Sequence, residues 1–209
     1  LYIKLAPSST DCINFLEIRR RTLDVNAELT RTRTREDSLL ADKISRLHIY
    51  FSLLRRGLTE DEKSRLDVEL MRLYERFGIT RDNDSLYDAD GTLKPQPTPA
   101  DFYNLLSERE ETKPLAGILS RFVNGSAANL GGETNVDMNN KYIVLDISEI
   151  GKELLPFGTL LAADICLDYC RMSRAENKVV ILDEVWSLIG AGSNAQAAEF
   201  VLELFKTVR

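Results

Sequence analysis

One histidine, His48, in 209 residues excludes any mechanism that needs two. The three cysteines, Cys12, Cys166 and Cys170, make no disulfide framework, and their odd number points to a reducing compartment. Cys166 and Cys170 lie four apart, on one face of a helix, but a metal would need further ligands nearby. All three read as core or half-buried residues. No apolar run is long enough to span a bilayer. No secretory signal opens the chain, and a start on LYIKL without Met reads as truncated. The net charge of -6 and pI near 5.0 argue against bulk nucleic-acid affinity, which needs a basic face. The last absence is a loop: Gly-Lys-Ser or Gly-Lys-Thr occurs nowhere in the sequence.

That loop matters because of what is present. KVVILDEVWSLIG, residues 178 to 190, is an apolar run ending in Asp183 and Glu184. It reads like the Walker B strand of a P-loop nucleotidase. In such enzymes one carboxylate holds the hydrated Mg²⁺ that bridges the β- and γ-phosphates, and the next polarises the attacking water. Asp183 takes the metal role and Glu184 the water role. Read blandly, the pair marks only a strand leaving the core. Trp186 and Leu188 read as core. NGSAANLGGETN, residues 124–135, is glycine-rich but is not the missing phosphate cradle, because no Lys-Ser or Lys-Thr follows Gly131-Gly132.

Context favours the catalytic reading. KYIVLDISEI, from Lys141, is a second β-rich run, reaching Asp146. Between the two runs lies a helical pattern of Leu154, Leu155, Leu161, Ile165 and Tyr169. Two buried strands with a helix between them predict a right-handed βαβ crossover in a parallel sheet. Ligands of such sheets sit beyond the carboxyl ends of the strands, where Asp146 and the Asp183–Glu184 pair arrive.

Upstream the period changes. LYIKLAPSSTDCINFLEI predicts a strand, a turn, then a short strand or turn around Ile13–Ile18. Leu40, Ile44, Leu47, Phe51 and Leu54 form a helical stripe ending at Gly57. Thr59 and Glu62 form the capping box of a second helix, with Leu66, Leu70, Leu73 and Phe77, stopped by Gly78. The pair predicts a helical hairpin, packed on its own domain or standing out as an appendage. After a loop to Thr98, Pro99 starts a helix to about Glu110, another begins near Pro114, and a last one covers 196–208. Residues 1–56 carry 11 Lys/Arg against 7 Asp/Glu, with the basic runs 18–22 and 31–35. These runs form either a solvated loop or a contact with an acidic partner or nucleic acid.

CINFLEIR, GSAANLGGETNVDMNNKYIVLDISEI, ILDEVWSLIG and AAEFVLELFKTVR together resemble the conjugative-transfer ATPases of type IV secretion systems. These are the TraC- and TraE-like, Vir-type secretion ATPases, and the versions in Gram-positive conjugative elements look most similar. The resemblance runs over nearly the whole chain. It implies an α/β fold: a RecA-like P-loop NTPase parallel sheet, present as a fragment of the C-terminal ATPase domain, with an inserted α-helical subdomain. Residues 1–18 would belong to the ATPase core, 19–123 to a mainly helical insertion, and 124–209 to the core with the Walker B strand. The phosphate loop would lie upstream.

The same resemblance implies ATP and Mg²⁺ as cofactors and hexameric self-assembly. Its implied partners are the secretion channel proteins and the coupling protein, with DNA as a further one, at the cytoplasmic inner face of the cell membrane. Asp183 and Glu184 match the family's Mg²⁺ and water positions. Arg209 falls where the family has an arginine near the subunit interface, acting on a neighbour's nucleotide. Phe15 departs from the pattern, since much of the family has proline after the residue matching Asn14. Two other functions stay open: a DNA-pumping motor like the coupling protein, and a non-catalytic helical module that docks a partner.

Overall fold

The computed structural model describes residues 1–19, 38–138, 140–172 and 177–183, together with Leu202. Among the described residues the named strands and α-helices are, in chain order, β1 (Tyr2–Lys4), α1 (Leu39–Leu54), α2 (Glu60–Arg76), α3 (Pro99–Ser107), α4 (Lys113–Val123), β2 (Val144–Asp146) and α5 (Leu155–Met172). None of the described helices is long and apolar enough to cross a membrane.

The helices start where short polar side chains satisfy their first amides. Ser38 accepts from the Ala41 amide at the start of α1. At α2 the box closes both ways: the Glu62 amide reaches Thr59 Oγ1 at 3.2 Å, and the Thr59 amide reaches Glu62 Oε2 at 2.9 Å. Thr98 and Asp101 repeat the device at α3, with Pro99 in the first turn. Gly57 and Gly78 end the two hairpin helices at φ +75° and +69°, a backbone region that side chains with a Cβ rarely adopt. The lone histidine bridges the hairpin, with His48 Nε2 3.1 Å from Asp67 Oδ1.

β1 and β2 pair in parallel, Ile3 opposite Leu145 and Lys4 opposite Asp146. The expected crossover joined β2 to the run KVVILDEV, of which residues 178–183 are described and Glu184 and Val185 lie outside the described residues. Among the described residues this run makes no ladder, and its burial alternates: Lys178, Val180 and Leu182 are half-buried, while Val179 and Ile181 are 87% and 88% exposed. A continuous apolar run read as a strand buried on both faces. The sheet of described residues has two strands, and β2 takes β1 as its partner. The second β-rich run is likewise shorter than expected, since only Val144–Asp146 is laddered. Around Ile13–Ile18 the chain turns at residues 15–16 and forms no strand.

One apolar core joins β1, the hairpin, α3, α4 and α5. At its centre stands Phe15, fully buried, its ring centroid 5.4 Å from Tyr50, 5.8 Å from Phe122 and 5.2 Å from Phe157. The position that departs from the family pattern is thus the hub of an aromatic cluster. α1 turns its stripe into this core, so this helix of the hairpin packs on its own domain.

Candidate functional site

At the carboxyl edge of the sheet, β1 ends at Lys4 and β2 at Asp146. The Asp146 carboxylate is engaged from within the chain. The Tyr2 hydroxyl donates to Oδ2, and the Ser148 amide donates to Oδ1 at 2.9 Å. The Tyr2 hydrogen bond, followed by those of Ser148, lowers its pKa to about 2, so it is ionised at neutral pH. Beside it, Lys4 Nζ pairs with Glu149 at 2.6 Å, and the Lys4 amide donates to Asp11 Oδ2 at 2.9 Å.

Asp183 is exposed, at the end of the 178–183 run. Lys178 Nζ donates to the Tyr169 carbonyl on α5, and Leu182 packs against the core. Glu184 and Arg209, the other two expected site residues, lie outside the described residues, as does the helix expected over 196–208, apart from Leu202.

Among the described residues no three His, Cys, Asp or Glu side chains cluster to hold a metal. The two half-buried cysteines of α5 make no exception: burial, then the neighbouring Cys170, pushes the Cys166 thiol up to about 11. A single exposed Asp183 fits Mg²⁺ only in its usual manner, holding the ion through water rather than in a protein cage. The glycine-rich 124–135 segment is packed rather than open. A Cβ at Gly131 would lie 1.8 Å from the Phe122 carbonyl oxygen, so this glycine serves close chain packing. The described residues alone therefore do not make a nucleotide site.

Two polar constellations were not legible in the sequence. The first ties the 10–17 segment to the loop before β2. The Cys12 amide donates to Asn135 Oδ1 at 2.8 Å, and Asn135 Nδ2 donates to the Thr10 carbonyl at 2.7 Å. The Asn14 amide donates to Thr134 Oγ1 at 3.0 Å. The buried Asn14 side chain accepts from the Leu16 amide at 3.0 Å and donates to the Pro97 carbonyl at 2.8 Å. Resemblance had marked both segments without showing that they touch.

The second is a buried charge cluster between α1 and α5. Asp164, wholly buried, faces Lys43 Nζ at 3.3 Å, the Tyr50 hydroxyl at 3.2 Å and Arg46 Nη1. The same Arg46 nitrogen donates to Asp168 Oδ1 at 2.6 Å. Arg19 Nη1 stands 4.0 Å from Asp164 and 3.8 Å from Asp168, ion-pair rather than hydrogen-bond distances. Burial pushes the Asp164 carboxyl up, but Lys43, Arg46 and Arg19 outweigh it and hold it well below the usual range. Burial and then the Asp164 charge raise Asp168. Burial lowers Lys43 to about 8 against the pull of Asp164. The available signal was charge inside an apolar stripe: Lys43 beside Ile44 on α1, and Asp164 and Asp168 four apart on the apolar α5.

The strand edge, the capped hairpin on a shared core and the Asp-ending run after α5 make a mixed α/β unit with a small parallel sheet among the described residues. Among solved structures, VirB4 of Thermoanaerobacter pseudethanolicus is similar to this chain at a TM-score of 0.79, with 27% sequence identity over 100% of this chain and 76% of that one. No protein-family profile and no curated protein matches the chain. The resemblance read from CINFLEIR, the 125–150 segment and ILDEVWSLIG is to the same group of ATPases.

Proposed function

We propose that the chain is part of the ATPase motor of a conjugative type IV secretion system, with a RecA-like core that hydrolyses ATP to power substrate transfer or channel assembly. The likeness to VirB4, over the whole of this chain and 76% of that one, carries this reading, joined to the Asp183-Glu184 pair in the sequence. The phosphate loop of such a motor lies outside these 209 residues, since no Gly-Lys-Ser or Gly-Lys-Thr occurs among them.

Bound Mg-ATP supplies the phosphorus that water attacks. Asp183 would hold Mg²⁺ through water, which its exposure allows, and the ion would supply charge neutralisation at the phosphates. Glu184, next along the chain, orients the attacking water and draws its proton. Arg209 acts across a subunit boundary in a hexamer. Channel proteins, the coupling protein and DNA are the partners, at the inner face of the cell membrane. A DNA-pumping motor would use the same chemistry, and the resemblance to the secretion ATPases favours the first reading.

The test is Glu184→Gln in the protein carrying its phosphate loop. The amide keeps the size and loses the charge. ATP binding persists and turnover falls on the order of 10²–10⁴-fold. Near-normal turnover with intact binding removes Glu184 from the reaction.

A further inference from the structure

We propose that Arg46 is a positioning residue for Asp183: by bridging Asp164 and Asp168 it clamps α1 to α5, and α5 sets the place of the run that ends in Asp183. This rests on the reading of Asp183 as the carboxylate on the metal side.

Residues 178–183 have no ladder hydrogen bonds among the described residues to locate them. Two of the contacts that hold the run are to α5 and the core: Lys178 Nζ reaches the Tyr169 carbonyl, and Leu182 packs inward. Tyr169 directly follows Asp168. The last turns of α5 are in turn pinned on two sides. The Tyr169 hydroxyl donates to the Met138 carbonyl ahead of β2, and Asp168 meets Arg46 of α1. One guanidinium nitrogen serves two carboxylates four residues apart, so sliding or turning α5 by a single turn breaks both contacts at once.

The energetics suit positioning better than stability. A buried ion pair adds little over apolar residues of the same volume, because desolvation consumes most of the attraction. It is costly to break and specific in geometry, which is what a register needs. Apolar packing, by contrast, tolerates small slips.

The variant for the test is Arg46→Met with Asp168→Asn, which removes one charge of each sign and so leaves none newly stranded. Trypsin reads the run through the bond after Lys178, whose side chain is tethered in the parent. Cleavage there quickens about 10-fold in the double variant, while cleavage within α1 and α2 stays slow. Arg46→Lys, which can still set one cationic nitrogen between the two carboxylates, restores the slow rate. In the protein carrying its phosphate loop, the double variant lowers kcat about 10-fold and leaves KM for ATP unchanged, because the phosphate contacts lie elsewhere. A folded double variant with parental cleavage after Lys178 overturns the proposal. So does a rise in KM without a fall in kcat. If cleavage quickens but Glu184→Gln turns over normally, the ATPase reading has failed and the anchoring of the run by Arg46 stands.

Discussion

Lys43 Nζ lies 3.3 Å from Asp164 Oδ2, and neither side chain reaches solvent. Arg46, Arg19, Asp168 and the Tyr50 hydroxyl complete the surroundings of this pair. Burial holds the Lys43 pKa near 8, below its ordinary 10.5. Below about pH 8 both folded and unfolded chains carry the charge, and the cost of burying it is present in full. Between the two values the unfolded chain binds more protons, so this residue's contribution to stability rises with pH. The expected gain of the parent over Lys43→Met between pH 7.5 and pH 10 is about 1–3 kcal/mol. Urea unfolding of both proteins at both pH values measures it, and the difference cancels the thiols and phenols that titrate in the same range. A difference that is flat or falls with pH would show that Lys43 stays charged.

Asn14→Ala leaves the Leu16 amide and the Pro97 carbonyl buried without their side-chain partner. The expected loss is about 2–4 kcal/mol, the cost of two stranded polar groups. Asn14→Asp fares no better, because a carboxylate cannot donate to the Pro97 carbonyl. Thermal unfolding checks both. A loss under about 0.5 kcal/mol would mean that water replaces the amide without cost.

Two glycine substitutions should move stability in opposite directions. Gly131→Ala drives a Cβ to 1.8 Å from the Phe122 carbonyl oxygen, and backbone must shift to admit it. The expected loss is about 3 kcal/mol or more. Gly117 lies on the exposed side of α4, with nothing within 4 Å of an added Cβ. Gly117→Ala is expected to stabilise by about 0.5–1 kcal/mol through helix propensity. Denaturant midpoints decide, and a tolerated Gly131→Ala would refute the close packing of this loop on α4.

The 209-residue chain should bind Mg-ATP more weakly than about 1 mM, because the lysine and amide cradle that supply most phosphate contacts are missing from it. Titration calorimetry measures this directly. Micromolar affinity would place a phosphate site among these residues and undo the reading of the 124–135 loop as packing.

Local chemistry was legible in the sequence wherever it is decided within one turn of the chain. Thr59 with Glu62 caps a helix through a partner three residues away, and Thr98 before Pro99 marks another start, so both could be read before any fold was known. The stripe Leu40, Ile44, Leu47 and Phe51 announced which face of α1 is buried. Asp183, too, was visible as the acid ending an apolar run.

The tertiary structure decided whatever depends on a partner distant in sequence. The run 178–183 carries no mark of whether a ladder will cover Val179 and Ile181, because apolar side chains read alike under either outcome. Phe15 reads as a departure from a pattern until Tyr50, Phe122 and Phe157 close around it. Arg46 and Asp168 are 122 residues apart. A charge in an apolar stripe says that it must be paired, since burial alone is too costly, but only packing chooses the mate.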